Sequence, residues 1–286
     1  MITGASQVTV VPFSFLSMKF NYVLLLMLFS SRTHAQELFT YTEPASNMAA
    51  KSIGIRINNS FMREASLSRY RYQLSPEIMW GASGKLMVHA SAFFSNWKGS
   101  FAGDGGALYV KYRFYSQDEV HSHFRMAAFG RFAFNNTHLH QPAIDLSRHN
   151  SGYEAGMVAT KLINKIALSA GAGFLHAMDN GKYKFTINDK YRNALEYNLS
   201  IGKLLLPKEY TSYKQVNLNG MIEFLGQSNL ALGNSYVDIA SVLQFIILSR
   251  MRVDLGYRFS LLNDLKRTAS NGFLVRFEYN IFNAYH

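Results

Sequence analysis

The sequence predicts an all-β fold, a single antiparallel up-and-down barrel of about twelve strands, and three observations lead to it. Apolar and polar residues alternate with a period of two along most of the chain after Lys51. Aromatic residues make up 14% of the sequence and there are only 5 prolines, a composition that favours strands. The connections between alternating segments are short and long in turn, as in a closed series of hairpins.

Each strand is predicted where the alternation holds between segments rich in Gly, Asn, Asp and Ser. Most of these stretches are about ten residues long, which is long for a globular strand and fits one tilted across a bilayer. The predicted strands are residues 51–60, 71–80, 85–95, 105–115, 122–134, 152–162, 164–175, 192–203, 213–225, 236–248, 250–260 and 272–283.

The connections fall into two classes by length. Short turns follow the even-numbered strands, although the connection after the eighth strand, residues 204–212, is longer than its class. Longer polar loops follow the odd-numbered strands at residues 61–70, 96–104, 135–151, 176–191, 226–235 and 261–271. Short turns on one rim and long loops on the other are typical of a transmembrane barrel with both termini on the short-turn side.

The two faces of each strand predict opposite surroundings. In the last strand Phe273, Val275 and Phe277 alternate with Arg276 and Glu278. A closed sheet of about twelve strands is wider than the roughly eight-stranded barrel that side chains can fill, so an apolar lumen would be a large dry void. We therefore expect lipid at the apolar face and water at the charged face. A soluble sandwich or ligand-binding barrel is the alternative.

Aromatic residues near the strand ends are expected to form two girdles at the membrane interfaces. One girdle comprises Trp80, Tyr112, Phe114, Phe124 and Tyr279, and the other comprises Phe94, Phe132, Phe134, Tyr257, Phe259 and Phe273.

The beginning of the chain is typical of a secretory signal. Lys19 precedes a short apolar run, residues 20–29, and small Ala35 stands before Gln36. We expect residues 1–17 to be an upstream extension, 18–35 a signal peptide, 36–50 a periplasmic N-terminal segment and 51–286 the barrel. The N-terminal segment is expected either to stay in the periplasm or to fold into the barrel mouth.

With these features and the final stretch VRFEYNIFNAY, the chain resembles a bacterial (Gram-negative) outer-membrane β-barrel protein. It looks most like the poorly characterised small barrels grouped with outer-membrane transporters. The final strand is similar to the assembly signal of that class, although His286 follows Tyr285 where the class usually ends on the aromatic residue. The resemblance implies outer-membrane lipid, lipopolysaccharide and the barrel-assembly machinery as partners.

The charged inward-facing side chains are the largest candidate site. They predict either a conduit for small polar solutes, with a surplus of Lys and Arg that favours anionic ones, or a salt-bridge network that fills a plugged structural or adhesion barrel. The candidate pore-lining residues are Arg56, Glu77, Lys111, Arg113, Arg125, Arg131, Glu154, Glu196, Glu223, Asp238, Arg252, Asp254, Arg258, Arg276 and Glu278.

Two smaller candidates lie near the long loops. His149 and Ser151 have the same parity and are similar to the His-x-Ser element of outer-membrane lipid A deacylases, which leaves a lipid hydrolase as a second alternative. The spacing of His138, His140 and His149, with Asp145 and His176, also allows a metal site. Solvated surface histidines are the more common explanation.

We predict no catalysis, no cofactor and no metal. The net charge of +11 is scattered through apolar strands rather than gathered in a run, so nucleic acid is not an expected partner. Without cysteine the chain forms no disulfide, which suits an oxidising compartment.

Overall fold

The structure is a computed structural model that describes residues 39–64, 69–97, 99–120, 122–138, 141–185, 189–209 and 215–285. The predicted upstream extension and signal peptide lie outside the described residues. The same holds for His140 and for His121, which with His123 is a further histidine pair considered for metal binding. The remaining chain forms one closed antiparallel barrel, in which each strand pairs with its neighbours in sequence and β1 pairs with β12.

The described residues contain twelve strands of 10–17 residues and one short 3₁₀ helix before β8, Asp189–Arg192. The strands are β1 Ser52–Glu64, β2 Tyr70–Gly81, β3 Leu86–Ser95, β4 Ala102–Asp118, β5 Ser122–Asn135, β6 Ser151–Ile163, β7 Ile166–Met178, β8 Asn193–Leu206, β9 Asn217–Asn229, β10 Ser235–Ile247, β11 Met251–Asn263 and β12 Ala269–Ile281.

The faces of the strands are inverted relative to a soluble protein. Ile78, Leu199 and Phe273 are 50–59% exposed on the outside, whereas Arg56 and Lys111 are among the largest fully buried side chains. Exposing apolar rows while burying charged ones is favourable only if hydrocarbon surrounds the barrel. The predicted fold class, a transmembrane antiparallel up-and-down barrel, is confirmed.

Among the described residues, no helix is long and apolar enough to cross a membrane.

One predicted face is wrong at the end of β4. The alternation predicts Tyr115 on the polar face with Arg113, but Tyr115 is 44% exposed, like its neighbour Phe114 at 43%. A bulge between Arg113 and Tyr115 shifts the register against β5. The extra residue turns both rings outward because a bulge interrupts the two-residue period.

The two rims differ as predicted. Both the chain's entry into β1 and its exit from β12 lie on the rim formed by the short turns, which we call the short-turn rim. There Trp80 donates a hydrogen bond from Nε1 to the hydroxyl of Tyr285 at 2.8 Å. At the opposite, long-loop rim, the rings of Tyr257 and Phe273 lie 4.6 Å apart. Such amphipathic rings fit the two interfaces of a bilayer.

Candidate functional site

The lumen contains residues 39–50, which we call the N-terminal strap. The strap enters beside β1, where the amide of Lys51 donates to the carbonyl of Gly81. It then crosses the lumen, and Phe39 packs against Ala167, Met221 and Val242 on β7, β9 and β10. Most of the strap's side chains are buried. The strap therefore spans the lumen in the half nearer the short-turn rim.

Glu223 on β9 holds the strap by its backbone. Its carboxylate accepts hydrogen bonds from the amides of Thr40, Tyr41 and Thr42 at 2.9–3.2 Å, and from the Thr42 hydroxyl at 2.8 Å. Glu223 itself is completely buried. Hydrogen bonds to an ionised acceptor are the stronger kind, and here they compensate for the burial of a charge.

Two basic side chains of the barrel wall hold the strap's carbonyl groups. Lys111 Nζ donates to the carbonyls of Pro44 and Ser46 at 2.7 and 2.9 Å. Arg252 donates to the carbonyl of Phe39 at 2.7 Å. These contacts satisfy backbone groups that a sheet would otherwise pair, so an irregular segment is accommodated at membrane depth.

The strap also adds charge to the lumen. Glu43 Oε1 lies 2.8 Å from Arg56 Nη1, and its Oε2 lies 3.6 Å from Lys111 Nζ. Burial by itself would raise the pKa of the Glu43 carboxyl, but Arg56 and Lys111 hold that pKa well below its usual range. Burial raises the pKa of the Tyr41 hydroxyl to about 12. The strap thus places an ionised carboxylate and a neutral phenol in the lumen.

The connection between β5 and β6 also folds into the lumen, and we call its residues 141–150 the inward loop. The Gln227 side chain of β9 holds the backbone of Ile144 by two hydrogen bonds, each 2.8 Å long. Ile144 and Leu146 pack with Leu175 and Phe185 in a buried cluster. The inward loop covers the half of the lumen nearer the long-loop rim.

His149 lies buried in the inward loop with its ring edge against Trp97, at a centroid distance of 5.0 Å. Burial lowers the pKa of His149 to about 4, although the neighbouring Asp145 acts in the opposite direction. Burial would raise the pKa of Asp145, but Arg148 and His149 lower it. The imidazole of His149 is therefore neutral at pH 7.

Between the strap and the inward loop lies a chamber of about 230 Å³. Six arginines and five carboxylates of the described residues line it, together with the rings of Trp97, Tyr109 and Tyr236. Tyr109 also carries the Arg131 guanidinium over its ring at 5.3 Å. The site is therefore a polar compartment of nearly balanced charge in the middle of a lipid-facing barrel.

All fifteen predicted pore-lining residues take the inward parity, and they divide into groups with different surroundings. Six of them contact the strap, namely Arg56, Lys111, Arg125, Glu223, Arg252 and Asp254. Glu278 and Asp238 pair with arginines of the wall, and Arg125 pairs with Asp118 near the short-turn rim, where Arg113 also lies. The chamber itself is lined by Arg56, Glu77, Arg131, Glu154, Glu196, Arg258 and Arg276. Contact of these side chains with a passing solute stays a prediction.

The sequence alone did not identify several chamber residues. Arg267 comes from the loop between β11 and β12, and Glu43 and the inward loop reach the chamber only because connecting segments fold inward. Gln73 and His89 do have the inward parity of their strands, so the period of two was a usable signal for them.

The proposed hydrolase pair is not arranged for catalysis. The Ser151 hydroxyl accepts a hydrogen bond from the amide of Asn135 at 2.8 Å and donates to the Asn135 carbonyl at 3.2 Å. His149 Nδ1 has no hydrogen-bond partner. A nucleophilic serine needs a base within hydrogen-bond reach, and this hydroxyl instead ties two backbone segments together.

The loop histidines are separated in the structure. His138 lies beside Tyr183, and His176 Nδ1 lies 2.8 Å from the side-chain oxygen of Asn193. Within the described part of the chain, no group of three His, Cys, Asp or Glu residues could hold a metal ion.

No protein-family model and no curated protein matches the chain. Among solved structures it is similar to an outer-membrane channel from Pseudomonas putida F1, with 10% identity and a TM-score of 0.52 over 85% of this chain and 99% of that one. It is also similar to the KdgM porin, with 7% identity and a TM-score of 0.50 over 79% and 98% of the two chains. At these identities the likeness is one of fold. Together with the apolar exterior, this fold places the chain in a bacterial outer membrane, as predicted.

Proposed function

We propose that the protein is a passive, porin-like channel for small polar solutes. The chamber carries this proposal, because a barrel meant only as a rigid surface scaffold has no need of a charged compartment of about 230 Å³ in its lumen. The two similar structures are described as a porin and an outer-membrane channel, which supports the same function.

The strap and the inward loop make the channel narrow. Each crosses the lumen in a different half of the barrel, so a solute passes both before it leaves. Selection by size and charge follows, since a solute in a narrow lumen exchanges part of its hydration for contacts with the wall. The alternative of a plugged structural or adhesion barrel predicts that both segments stay docked and that no current flows.

Planar-bilayer recordings test the channel, with Arg131→Gln as the probe and Arg63→Gln as the matched control. Arg131 lines the chamber, whereas Arg63 is exposed at the outside of β1, so the two variants lose the same charge from different places. We expect stepwise conductance in all three proteins and a shift of the reversal potential toward cations in R131Q alone. Absence of conductance at every voltage would reject the channel and favour the plugged barrel.

A further inference from the structure

One side of the chamber carries more carboxylates than counter-ions. Glu154 on β6 and Glu196 on β8 flank Gly173 on β7, which pairs directly with Glu196. A Cβ atom on Gly173 would lie 3.2 Å from Glu154 Oε1, so the Glu154 carboxylate lies over this glycine, beside Glu196. In the described part of the chain, these two carboxylates have one ion pair, between Arg131 Nε and Glu154 Oε2 at 3.5 Å. We call Glu154 and Glu196 the acidic pair.

Another side of the chamber carries more guanidinium groups than carboxylates. Arg258 and Arg267 both bind Asp238, and Arg267 Nη2 lies 2.7 Å from Asp238 Oδ1. The guanidinium of Arg267 also lies 3.8 Å from the centroid of the Tyr236 ring. Two positive charges on one buried carboxylate leave one positive charge uncompensated. We call Arg258 and Arg267 the arginine pair.

Three further residues of the chamber wall have buried polar atoms without hydrogen-bond partners. These atoms are Gln73 Oε1, His89 Nε2 and His149 Nδ1. All three side chains are at least nine-tenths buried, and all three residues line the chamber. A buried polar atom left without a partner costs about 1–3 kcal/mol, so three around one compartment call for an explanation. A bound solute with hydrogen-bonding groups supplies one.

We propose that the chamber is a binding site for a small zwitterion, an amino acid or short peptide whose ammonium group pairs with Glu154 and Glu196 and whose carboxylate pairs with Arg258 and Arg267. A lone cation would compensate only the acidic pair, and a lone anion only the arginine pair. A molecule that carries both charges compensates both sides at once. The amide group of a short peptide also matches the unpartnered atoms of the wall.

This binding site rests on the proposed channel function, because the chamber lies on the path that a solute takes through the lumen. Binding can nevertheless be measured without ion flow through the barrel. Titration calorimetry on the detergent-solubilised barrel compares glycylglycine with two analogues that each lack one charge. N-acetylglycylglycine lacks the ammonium group, and glycylglycinamide lacks the carboxylate. We expect each analogue to bind about tenfold more weakly than glycylglycine, the loss of one partly screened charge pair.

Two variants assign the charges to the two pairs. Glu196→Gln removes a carboxylate without an ion pair of its own, and in this variant glycylglycine is expected to bind no better than its N-acetyl analogue. Arg267→Gln leaves Arg258 on Asp238, and it is expected to remove the preference over glycylglycinamide. Glu64→Gln is the matched control, because Glu64 faces the lumen near the long-loop rim, pairs with Arg71 and does not line the chamber. This control should keep both preferences.

The outcomes separate this inference from the channel itself. Equal affinities for the three compounds, or no measurable binding by the wild type, would overturn the zwitterion site while leaving conductance intact. Binding with the expected preferences but without conductance would support the site and reject the channel. Faster migration of each unheated variant on a gel shows that it has folded, so a lost preference is not explained by unfolding.

Discussion

Glu223 is predicted to hold the strap in the lumen, and replacing its carboxylate tests this role. In Glu223→Gln, one side-chain oxygen remains to accept hydrogen bonds, but the other position becomes an amide NH₂ that faces donors. The contacts of Oε2 with the amides of Thr42 and Tyr41, at 2.9 and 3.2 Å, are then lost, whereas the Thr42 hydroxyl can accept from the new NH₂ and donate to Ser200. We expect the strap to leave its docked position more often, because the remaining contacts no longer compensate for ordering twelve residues in the lumen.

The size of this effect follows from the two lost bonds. A hydrogen bond to a charged group contributes roughly 1.5 kcal/mol at the low end of its range, so two contribute about 3 kcal/mol. That difference changes the ratio of docked to released strap by about a hundredfold.

A labelling experiment measures the ratio directly. The chain has no cysteine, so a single one at Asn47→Cys is a unique site for a maleimide. Asn47 is 3% exposed and its side-chain nitrogen and oxygen have no hydrogen-bond partners, so the replacement removes no hydrogen bond. N47C should react slowly by itself and up to about a hundredfold faster when combined with E223Q, in proportion to the released fraction.

The control variant E64Q removes the same charge from the lumen but does not touch the strap. N47C combined with E64Q should therefore react at the rate of N47C alone. Equal labelling rates in the E223Q and E64Q backgrounds would refute the claim that Glu223 holds the strap.

Three further predictions concern other parts of the barrel. Lys111→Met keeps the apolar stem but loses the hydrogen bonds to the carbonyls of Pro44 and Ser46, so the channel is expected to have a larger open probability in planar bilayers. An open probability equal to that of the wild type would contradict a role of Lys111 in holding the strap. The pKa of His149 falls from its ordinary value near 6.5 to about 4 when the inward loop is docked. The docked loop is therefore most stable above about pH 6.5, and the free energy that favours docking decreases by up to about 3 kcal/mol as the pH falls to 4. The fluorescence of Trp97, which contacts His149, should report this loss between pH 7 and 4, and the signal should be flat in His149→Gln; an equal response in both proteins would contradict it. Finally, the unheated barrel extracted from membranes should migrate faster on a gel than the boiled one, since a closed twelve-stranded sheet resists detergent until heated; identical lanes would count against the bilayer interpretation.

Much of the barrel could be predicted because its strands repeat a local rule. Each strand must place one row of side chains in lipid and the next in the lumen, so Leu199 and Phe273 alternate with charged or polar neighbours wherever the strand crosses the bilayer. The rule fails at Tyr115, where a bulge adds a residue that the alternation does not mark.

The same rule placed Glu223, Lys111 and Arg252 on the inner face but assigned them no partners. All three bind backbone groups of the strap, a segment without charge runs or a regular period that would have predicted its path.

What the sequence by itself determined is therefore the barrel, its twelve strands and, apart from the bulge at Tyr115, the face on which the strand side chains lie, because these follow from the two-residue period of a strand between lipid and water. Only the tertiary structure decided what occupies the lumen. The strap and the inward loop dock through contacts between residues far apart in the chain, such as Thr42 with Glu223 and Ile144 with Gln227. The closed barrel is what brings these donors and acceptors within reach of one another, and a local period carries no information about partners so far apart in the chain.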